Sequence, residues 1–165
     1  MTIDSNWSKK HKIIIDKDKV SGSSDLTDFP VLLDENNFLS EVFSNTQSNG
    51  EDLRFSTDKT GDNEIPLEVV KWDQATPKAE VWVKIPTLYW DQDTEIYVHY
   101  YNPDASAYSP NDAYGAQSVW NANYRMVQHL SDANDSTAND NDGAVHGATS
   151  VADGQIGDAY NLDGV

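Results

Sequence analysis

Apolar and polar residues alternate in short runs along the middle of the chain. Val81, Val83 and Ile85 fall on one side of such a run, and Trp82 and Lys84 fall on the other. Gly, Pro, Asn and Asp residues separate this run from its neighbours. Short period-two segments with turn residues between them are typical of antiparallel β-sandwiches. The pattern therefore predicts an all-β fold, an antiparallel β-sandwich, for the first two thirds of the chain.

Seven stretches of alternating or compact apolar character are predicted strands. They are His11–Ile15, Phe29–Leu33, Asp52–Phe55, Ile65–Glu68, Val81–Ile85, Glu95–Tyr101 and Tyr124–Leu130. Pro30 indicates a strand start or an edge strand, because proline has no N–H to donate to a sheet. In the sixth stretch, Ile96 and Val98 alternate with Tyr97 and His99. We expect the first pair to face the core.

One short helix is predicted between the second and third strands. Asp34 is a typical N-cap residue, and the apolar residues of Glu35–Phe43 recur at helical spacing. The polar, Gly-containing stretch 45–50 ends this pattern. We expect the helix to pack on the sandwich.

Net charge restricts the partners of the protein. The 165 residues include 11 Lys and Arg against 28 Asp and Glu, which gives a formal net charge of -17 at pH 7. Such a surface repels phosphate backbones and anionic headgroups, so we expect no nucleic-acid partner and no membrane insertion. No Cys is present, which excludes disulfides and thiolate metal sites.

Composition changes after Tyr101, where Asn, Asp, Ala, Ser and Pro become frequent. We therefore expect a β-sandwich module over residues 1–105, a linker over 106–118 and a further segment over 119–165. A single predicted strand in that last segment cannot enclose a core. The segment is expected either to lean on the sandwich or to open a domain whose other strands are not in this chain.

An ordered series of motifs in the first 105 residues is more specific than any one of them. The series is Trp7, Phe29–Leu33, Gly50–Phe55, Pro66–Glu68, Trp72–Asp73, Ala79–Pro86 and Ile96–Asn102. It resembles a bacterial, archaeal and phage domain of unknown function that commonly precedes a laminin G-like, concanavalin A-like lectin domain. The resemblance covers residues 7–105.

Further motifs resemble the opening of that lectin-like domain. They are Val119–Trp120, His129–Leu130, Asp135–Thr137, Asp142–Gly143, Gly154–Ala159 and Leu162–Gly164. The resemblance implies an incomplete lectin-like β segment after the sandwich. It also implies a module of large surface proteins, adhesins, polysaccharide-degrading systems or phage tail fibres, usually without assigned chemistry. We therefore expect an extracellular or virion-surface location.

Four aromatic residues are candidates for glycan binding: Trp82, Tyr97, His99 and Tyr101. Flat rings on a sheet face stack on the apolar face of a sugar, while nearby Asp and Asn side chains supply hydrogen bonds. The alternative is that another layer covers these rings, because aromatic residues at strand spacing commonly serve packing.

Asp135, Asp140 and Asp142 place three carboxylates within one short loop. Ca²⁺ binds hard oxygen ligands of this kind, so calcium is the one candidate cofactor. The spacing lacks the closing Glu of an EF-hand loop, and a solvated acidic turn is the alternative.

No motif for catalysis is present. The sequence has no nucleophile elbow, no phosphate-binding glycine loop and no His-Glu-x-x-His pattern. We therefore expect a non-catalytic module of a surface or phage tail-fibre protein that serves adhesion or glycan recognition on a cell-surface or matrix polysaccharide. The alternative is a structural spacer or assembly subunit of a virion fibre or extracellular filament, bound to neighbouring modules or subunits.

Overall fold

A computed structural model describes residues 3–152, 154 and 156–162. Antiparallel strands dominate these residues and their helices are short, so the predicted all-β sandwich is confirmed. The strands are β1 Lys9–Ile15, β2 Leu26–Asp34, β3 Arg54–Ser56, β4 Glu64–Ile65, β5 Leu67–Asp73, β6 Lys78–Leu88, β7 Thr94–Tyr100, β8 Thr149–Val151 and β9 Ala159–Asn161. The helices are α1 Ser40–Asn45 and α2 Ala116–Val119, with 3₁₀ turns at Lys17–Lys19 and Glu35–Asn37. Over the described ranges, no helix combines the length and apolar character needed to cross a membrane.

Two sheets form the layers of the sandwich. The first sheet has the strand order β1-β7-β3-β4, and the second has the order β2-β6-β5. Pro66 marks the crossing between them, because β4 belongs to the first sheet and β5 to the second. Its carbonyl accepts a hydrogen bond from the Lys84 N–H at 3.1 Å, although its own nitrogen has no hydrogen to donate. The single strand predicted at Ile65–Glu68 is therefore two strands in different sheets.

Alternation along the central strands sets the core. Val81, Val83 and Ile85 on β6, and Ile96 and Val98 on β7, are fully buried, as the sequence pattern predicts. Full burial of a side chain of this size contributes about 1.5–3 kcal/mol. The residues between them must point to the outer faces of the two sheets.

The helix predicted over Glu35–Phe43 is wrong as a continuous element. The Asp34 carboxylate does accept the Asn36 N–H at 2.9 Å, but it caps the short 3₁₀ turn. The backbone is extended at Phe38 and Leu39 before α1 begins. This break lets Phe38 enter a core cluster of rings that meet edge to face or stacked. The cluster consists of Phe38, Phe43, Phe55 and Trp72.

The strand predicted at Tyr124–Leu130 is also wrong. These residues are irregular, and Leu130 has a left-handed backbone with φ of 62°. A side chain competes for the backbone here, because the Val127 N–H donates to the Asp135 carboxylate at 2.9 Å. The strands after Val119 are instead β8 and β9, which pair as a separate hairpin. Parts of the lectin-like motifs at 154–159 and 162–164 lie outside the described residues.

Candidate functional site

The four aromatic residues predicted to bind glycan lie on opposite sides of the sandwich. Trp82 belongs to β6 of the second sheet and points outward, because its neighbours along the strand face the core. Tyr97 and His99 belong to β7 of the first sheet and also point outward, and Tyr101 follows that strand. The core separates Trp82 from the other three, so the four rings do not form one platform.

His99 is a buried histidine with only 2% of its surface exposed. Its Nε2 lies 2.7 Å from the Ser56 Oγ, and the Ser56 hydroxyl donates to the Asp58 carbonyl at 2.6 Å. Burial lowers the pKa of His99 to about 4, so the ring is neutral at pH 7. The serine proton is already donated to the backbone, and both side chains are enclosed. This pair therefore offers neither a sugar contact nor an activated nucleophile.

Tyr101 is the most exposed ring of the predicted platform, with 48% of its surface accessible. The Lys9 ammonium lies 5.5 Å from its ring centroid. Its backbone is left-handed, with φ of 69°, and its N–H donates to the buried Asp52 carboxylate at 2.9 Å. Tyr97 is half-buried. The exposed aromatic surface on the first sheet is thus limited to Tyr101 and part of Tyr97.

The carboxylates predicted to bind calcium organise their own loop. Asp135 is buried and accepts three backbone N–H groups, and Asp142 accepts the N–H of Asp135 at 2.8 Å. Burial opposes ionisation of Asp135, but these hydrogen bonds outweigh it and lower its pKa to about 2. Asp140 is exposed. Among the residues that the structure describes, no three His, Asp or Glu side chains are grouped to hold a metal ion.

Trp82 packs in a cluster that joins the second sheet to the segment after α2. Its ring centroid lies 5.2 Å from that of Trp120 and 5.9 Å from that of His129. The Trp120 and His129 centroids are 5.8 Å apart, and Tyr124 meets Trp120 edge to face at 5.2 Å. Two carboxylates complete the cluster. We refer to Glu68, Glu80, Trp82, Trp120 and His129 as the clip.

The two carboxylates of the clip bind the His129 ring at its two nitrogens. Nε2 lies 3.2 Å from Glu68 Oε2, and Nδ1 lies 3.2 Å from Glu80 Oε1. The indole N–H groups donate to the same carboxylates, that of Trp120 to Glu68 at 2.7 Å and that of Trp82 to Glu80 at 3.2 Å. Each carboxylate therefore bonds one imidazole nitrogen and one indole.

This environment keeps His129 protonated. The His129, Glu68 and Glu80 side chains are at most 11% exposed. Burial by itself lowers the pKa of His129, but the hydrogen bonds and negative charges of the two glutamates outweigh burial and raise it to about 9. Only the imidazolium donates from both nitrogens, which is the state that two carboxylate partners require. The second oxygen of Glu80, Oε2, is buried without a hydrogen-bond partner.

A β-bulge in β5 positions the carboxylates on the outer face. Glu68 pairs with Trp82, and the register shifts between Val69 and Lys71 so that Lys71 pairs with Glu80. The additional residue changes which side chains point outward, so Glu68 and Lys71 both lie on the same face as Trp82 and Glu80. An aromatic ring, two acids and one base thereby share one small area of sheet.

The outer face of the first sheet carries another enclosed charge. The Arg54 guanidinium lies between two rings, 5.1 Å from the Trp7 centroid and 4.1 Å from that of Tyr108. Tyr108 donates to the Glu64 carboxylate at 2.6 Å. Burial and this hydrogen bond raise the pKa of Tyr108 to about 12. A cavity of about 360 Å³ lies beside Arg54 and Tyr108.

An open groove of about 660 Å³ is lined by residues from both sheets and from the turn between β3 and β4. Its polar lining includes hydroxyl, amide and carboxylate groups, and two tyrosines supply ring surface. These residues include Tyr89, Tyr114, Thr57, Thr87, Asn63, Asp62 and Glu95. Rings beside such polar groups are the chemistry that sugar binding uses.

Sequence reasoning missed the clip and the groove. Trp120 and His129 lie far from Trp82 along the chain, and no local period connects them. One signal was present: Glu68 and Glu80 directly flank apolar residues in their strands, and an acid that such a strand buries requires a partner. Tyr114 was missed because residues 106–118 were expected to be a linker, whereas its carbonyl accepts the Leu67 N–H at 3.1 Å.

Comparison with known proteins identifies a family but no individual relative. A search of curated proteins gave no match, and a search of solved structures gave none. A family match covers residues 49–142, more than half of the chain, and this span contains all five residues of the clip. The match begins later than the expected 7–105 and continues past residue 119. The chain therefore belongs to the family described as Domain of unknown function (DUF2341).

Proposed function

We propose that this chain is a non-catalytic structural module, a spacer or assembly subunit of a virion fibre or extracellular filament. Its task is to hold the segment after α2 in a fixed position on the outer face of the second sheet. The clip is the observation that carries this proposal. It packs residues of the same chain against Trp82 and leaves that ring half-buried, so less of its surface is open to a sugar.

The chemistry of the clip supports a structural role for that face. Two carboxylates enclosed beside two indoles lose much of their hydration, and such a cost is recovered only when partners are well placed. Here each carboxylate has an imidazole nitrogen and an indole N–H within 3.2 Å. An arrangement of this kind fixes one relative position of sheet and segment, as a spacer requires.

Hydrogen exchange tests the structural role. Trp120→Ala removes one ring and one Glu68 partner, so we expect the amides of residues 120–142 to lose protection at least tenfold while those of β6 and β7 keep theirs. Trp90→Ala is the matched control, because Trp90 is 42% exposed and lies outside the clip. Unchanged protection of residues 120–142 in Trp120→Ala refutes the proposal.

Glycan recognition is the second candidate, and the groove beside Tyr89 favours it. Its ring surface and polar lining suit a cell-surface or matrix polysaccharide, as an adhesion module of a surface or phage tail-fibre protein would bind. The abundance of carboxylates and the net charge of -17 favour neutral or basic sugars over acidic ones.

A glycan array with two alanine variants separates the surfaces. If the groove binds, Tyr89→Ala abolishes retention of the wild-type ligand, while Tyr101→Ala on the outer face of the first sheet leaves it unchanged. The reverse pattern assigns binding to the exposed ring beside Lys9. Absence of any retained glycan removes this second candidate and leaves the structural role.

A further inference from the structure

One titratable proton, on the His129 ring, contributes to the join between two parts of the chain in the clip. The carboxylates come from β5 and β6, whereas the imidazole comes from the irregular segment after α2. A neutral His129 can donate from only one ring nitrogen. One of the two carboxylates then loses its partner in an enclosed place, and the attraction between the ring and both charges disappears. Docking of the segment on the sheet is then weaker, because separation returns both carboxylates to water.

We infer that the clip is a proton-controlled joint, in which protonated His129 fastens residues 119–142 to the second sheet and its deprotonation in alkaline solution releases them. This inference rests on the proposed structural role of that sheet face and adds a condition under which the role is lost. Ring packing without the imidazolium holds the segment less well than the complete clip does. Each indole N–H donates to a glutamate whose buried charge the imidazolium helps to offset.

Other charged groups around the clip do not replace the imidazolium. Lys71 pairs with Asp158 at 3.1 Å, and Lys78 pairs with Glu35 at 2.8 Å. A cavity of about 280 Å³ is bordered by His129 together with Asp132 and Asp135, which are acids and supply no cation. Besides the clip residues, the titratable and charged groups on the elements around it are Asp28, Asp34, Glu35, Lys71, Asp73, Lys78, Lys84, Tyr124, Arg125, Asp132, Asp135, Asp140, Asp142 and Asp158.

The sign of the pH dependence follows from the two states of His129. Its pKa is raised to about 9 in the clip, against an ordinary value of 6.5 when the segment is released. The contribution of the proton to docking is therefore complete below pH 6.5, declines above it and is lost as the pH rises through 9. Each unit of difference between these two pKa values changes the docking equilibrium constant tenfold. Full deprotonation of His129 therefore weakens docking roughly 300-fold relative to the protonated state.

Proton NMR of the histidine ring C–H groups tests the joint in the full chain. The wild type is titrated from pH 5.5 to 10, and the His129 signal is assigned by its loss in His129→Gln. We expect a midpoint near 9 for His129, together with a rise in acrylamide quenching of tryptophan fluorescence at the same midpoint. A His129 midpoint near 6.5, or quenching that does not follow the titration, overturns the inference.

Two variants sharpen the test. His129→Gln is expected to show high quenching already at pH 7 with no step near pH 9, whereas His146→Gln, at an exposed position beyond that segment, behaves as the wild type. If His129→Gln fails to fold, the His129 signal is assigned by its Overhauser cross-peaks to the Trp82 and Trp120 rings, so the wild-type titration stays decisive. If His129 titrates as expected but the second sheet is found to bind a glycan, the structural role is refuted and the proton-controlled joint is retained.

Discussion

Three buried polar side chains connect segments that are distant in the chain. The Asp52 carboxylate accepts the backbone N–H groups of Gln47, Tyr101 and Asn102 within 3.2 Å. His99 connects β7 to Ser56 at the end of β3, and His129 connects the outer sheet face to the C-terminal part of the chain. Each of these side chains satisfies polar groups that water does not reach. Replacing one of them leaves those groups without a partner, which lowers the free energy of unfolding.

Asp52→Ala is expected to lower the free energy of unfolding by about 3 kcal/mol, because three backbone donors lose their acceptor in a buried place. The left-handed backbone at Tyr101 loses the hydrogen bond that holds it. Urea unfolding at pH 7 measures the change. Asp91→Ala, at an exposed turn, is the control and should stay within about 0.5 kcal/mol of the wild type. A loss for Asp52→Ala no larger than that of the control contradicts this assignment.

His99 predicts a dependence of stability on acid pH. Its pKa is lowered to about 4 in the folded protein, against 6.5 when unfolded, so its contribution is present above pH 6.5 and is lost as the pH falls towards 4. Between pH 7 and pH 5 the wild type should lose about 2 kcal/mol more than His99→Gln does, as measured by urea unfolding. His146→Gln should follow the wild type. Equal losses in the wild type and His99→Gln would show that His99 titrates normally.

Irregular segments of the chain pack against the outer faces of both sheets. Residues 106–116 bring Tyr108 over Arg54, and α2 leads into Trp120 of the clip. Gly115 is the tightest point of this path, because an added Cβ would lie 2.1 Å from the Ser109 carbonyl oxygen. Both outer sheet faces are thus partly covered by chain that has no regular structure.

Gly115→Ala is expected to destabilise the protein by about 2–3 kcal/mol, since the clash is with backbone and the turn must shift. The shift should expose Val119, which is fully buried, and raise the hydrogen-exchange rates of α2 more than those of β7. Ala113→Ser, at an exposed position of the same turn, is the matched control. Wild-type stability of Gly115→Ala would contradict the close packing of this turn.

The period-two pattern correctly predicts which side chains of the central strands are buried. Val81, Val83 and Ile85 face the core as expected, because alternation alone decides which side of a strand is apolar. Pro66 shows what this pattern cannot predict. The proline indicates a break in the strand, but packing determines that the residues after it join the second sheet. The helix over Glu35–Phe43 was overpredicted because helical spacing of apolar residues does not exclude an extended break at Phe38.

The candidate site depends on contacts that no local pattern encodes. Trp82 and Tyr97 occupy similar outward positions on strands, yet they lie on different sheets with the core between them. The partners of Trp82 come from a segment that was predicted to contain a strand. Family membership extends through residue 142 and so includes both sides of the clip. Over the described residues, the protein is a sandwich whose second sheet is partly covered by the segment that follows it.

The central claim is that this chain's own Trp120 and His129 pack against Trp82 and cover part of its ring. Nuclear Overhauser spectra of the full chain at pH 7 test it directly. With centroids 5.2 Å and 5.9 Å from the Trp82 ring, these rings should give cross-peaks between the Trp82 ring protons and those of both Trp120 and His129. Spectra in which the Trp82 ring shows neither set of cross-peaks and exchanges its indole N–H as a solvent-exposed group does would contradict the account.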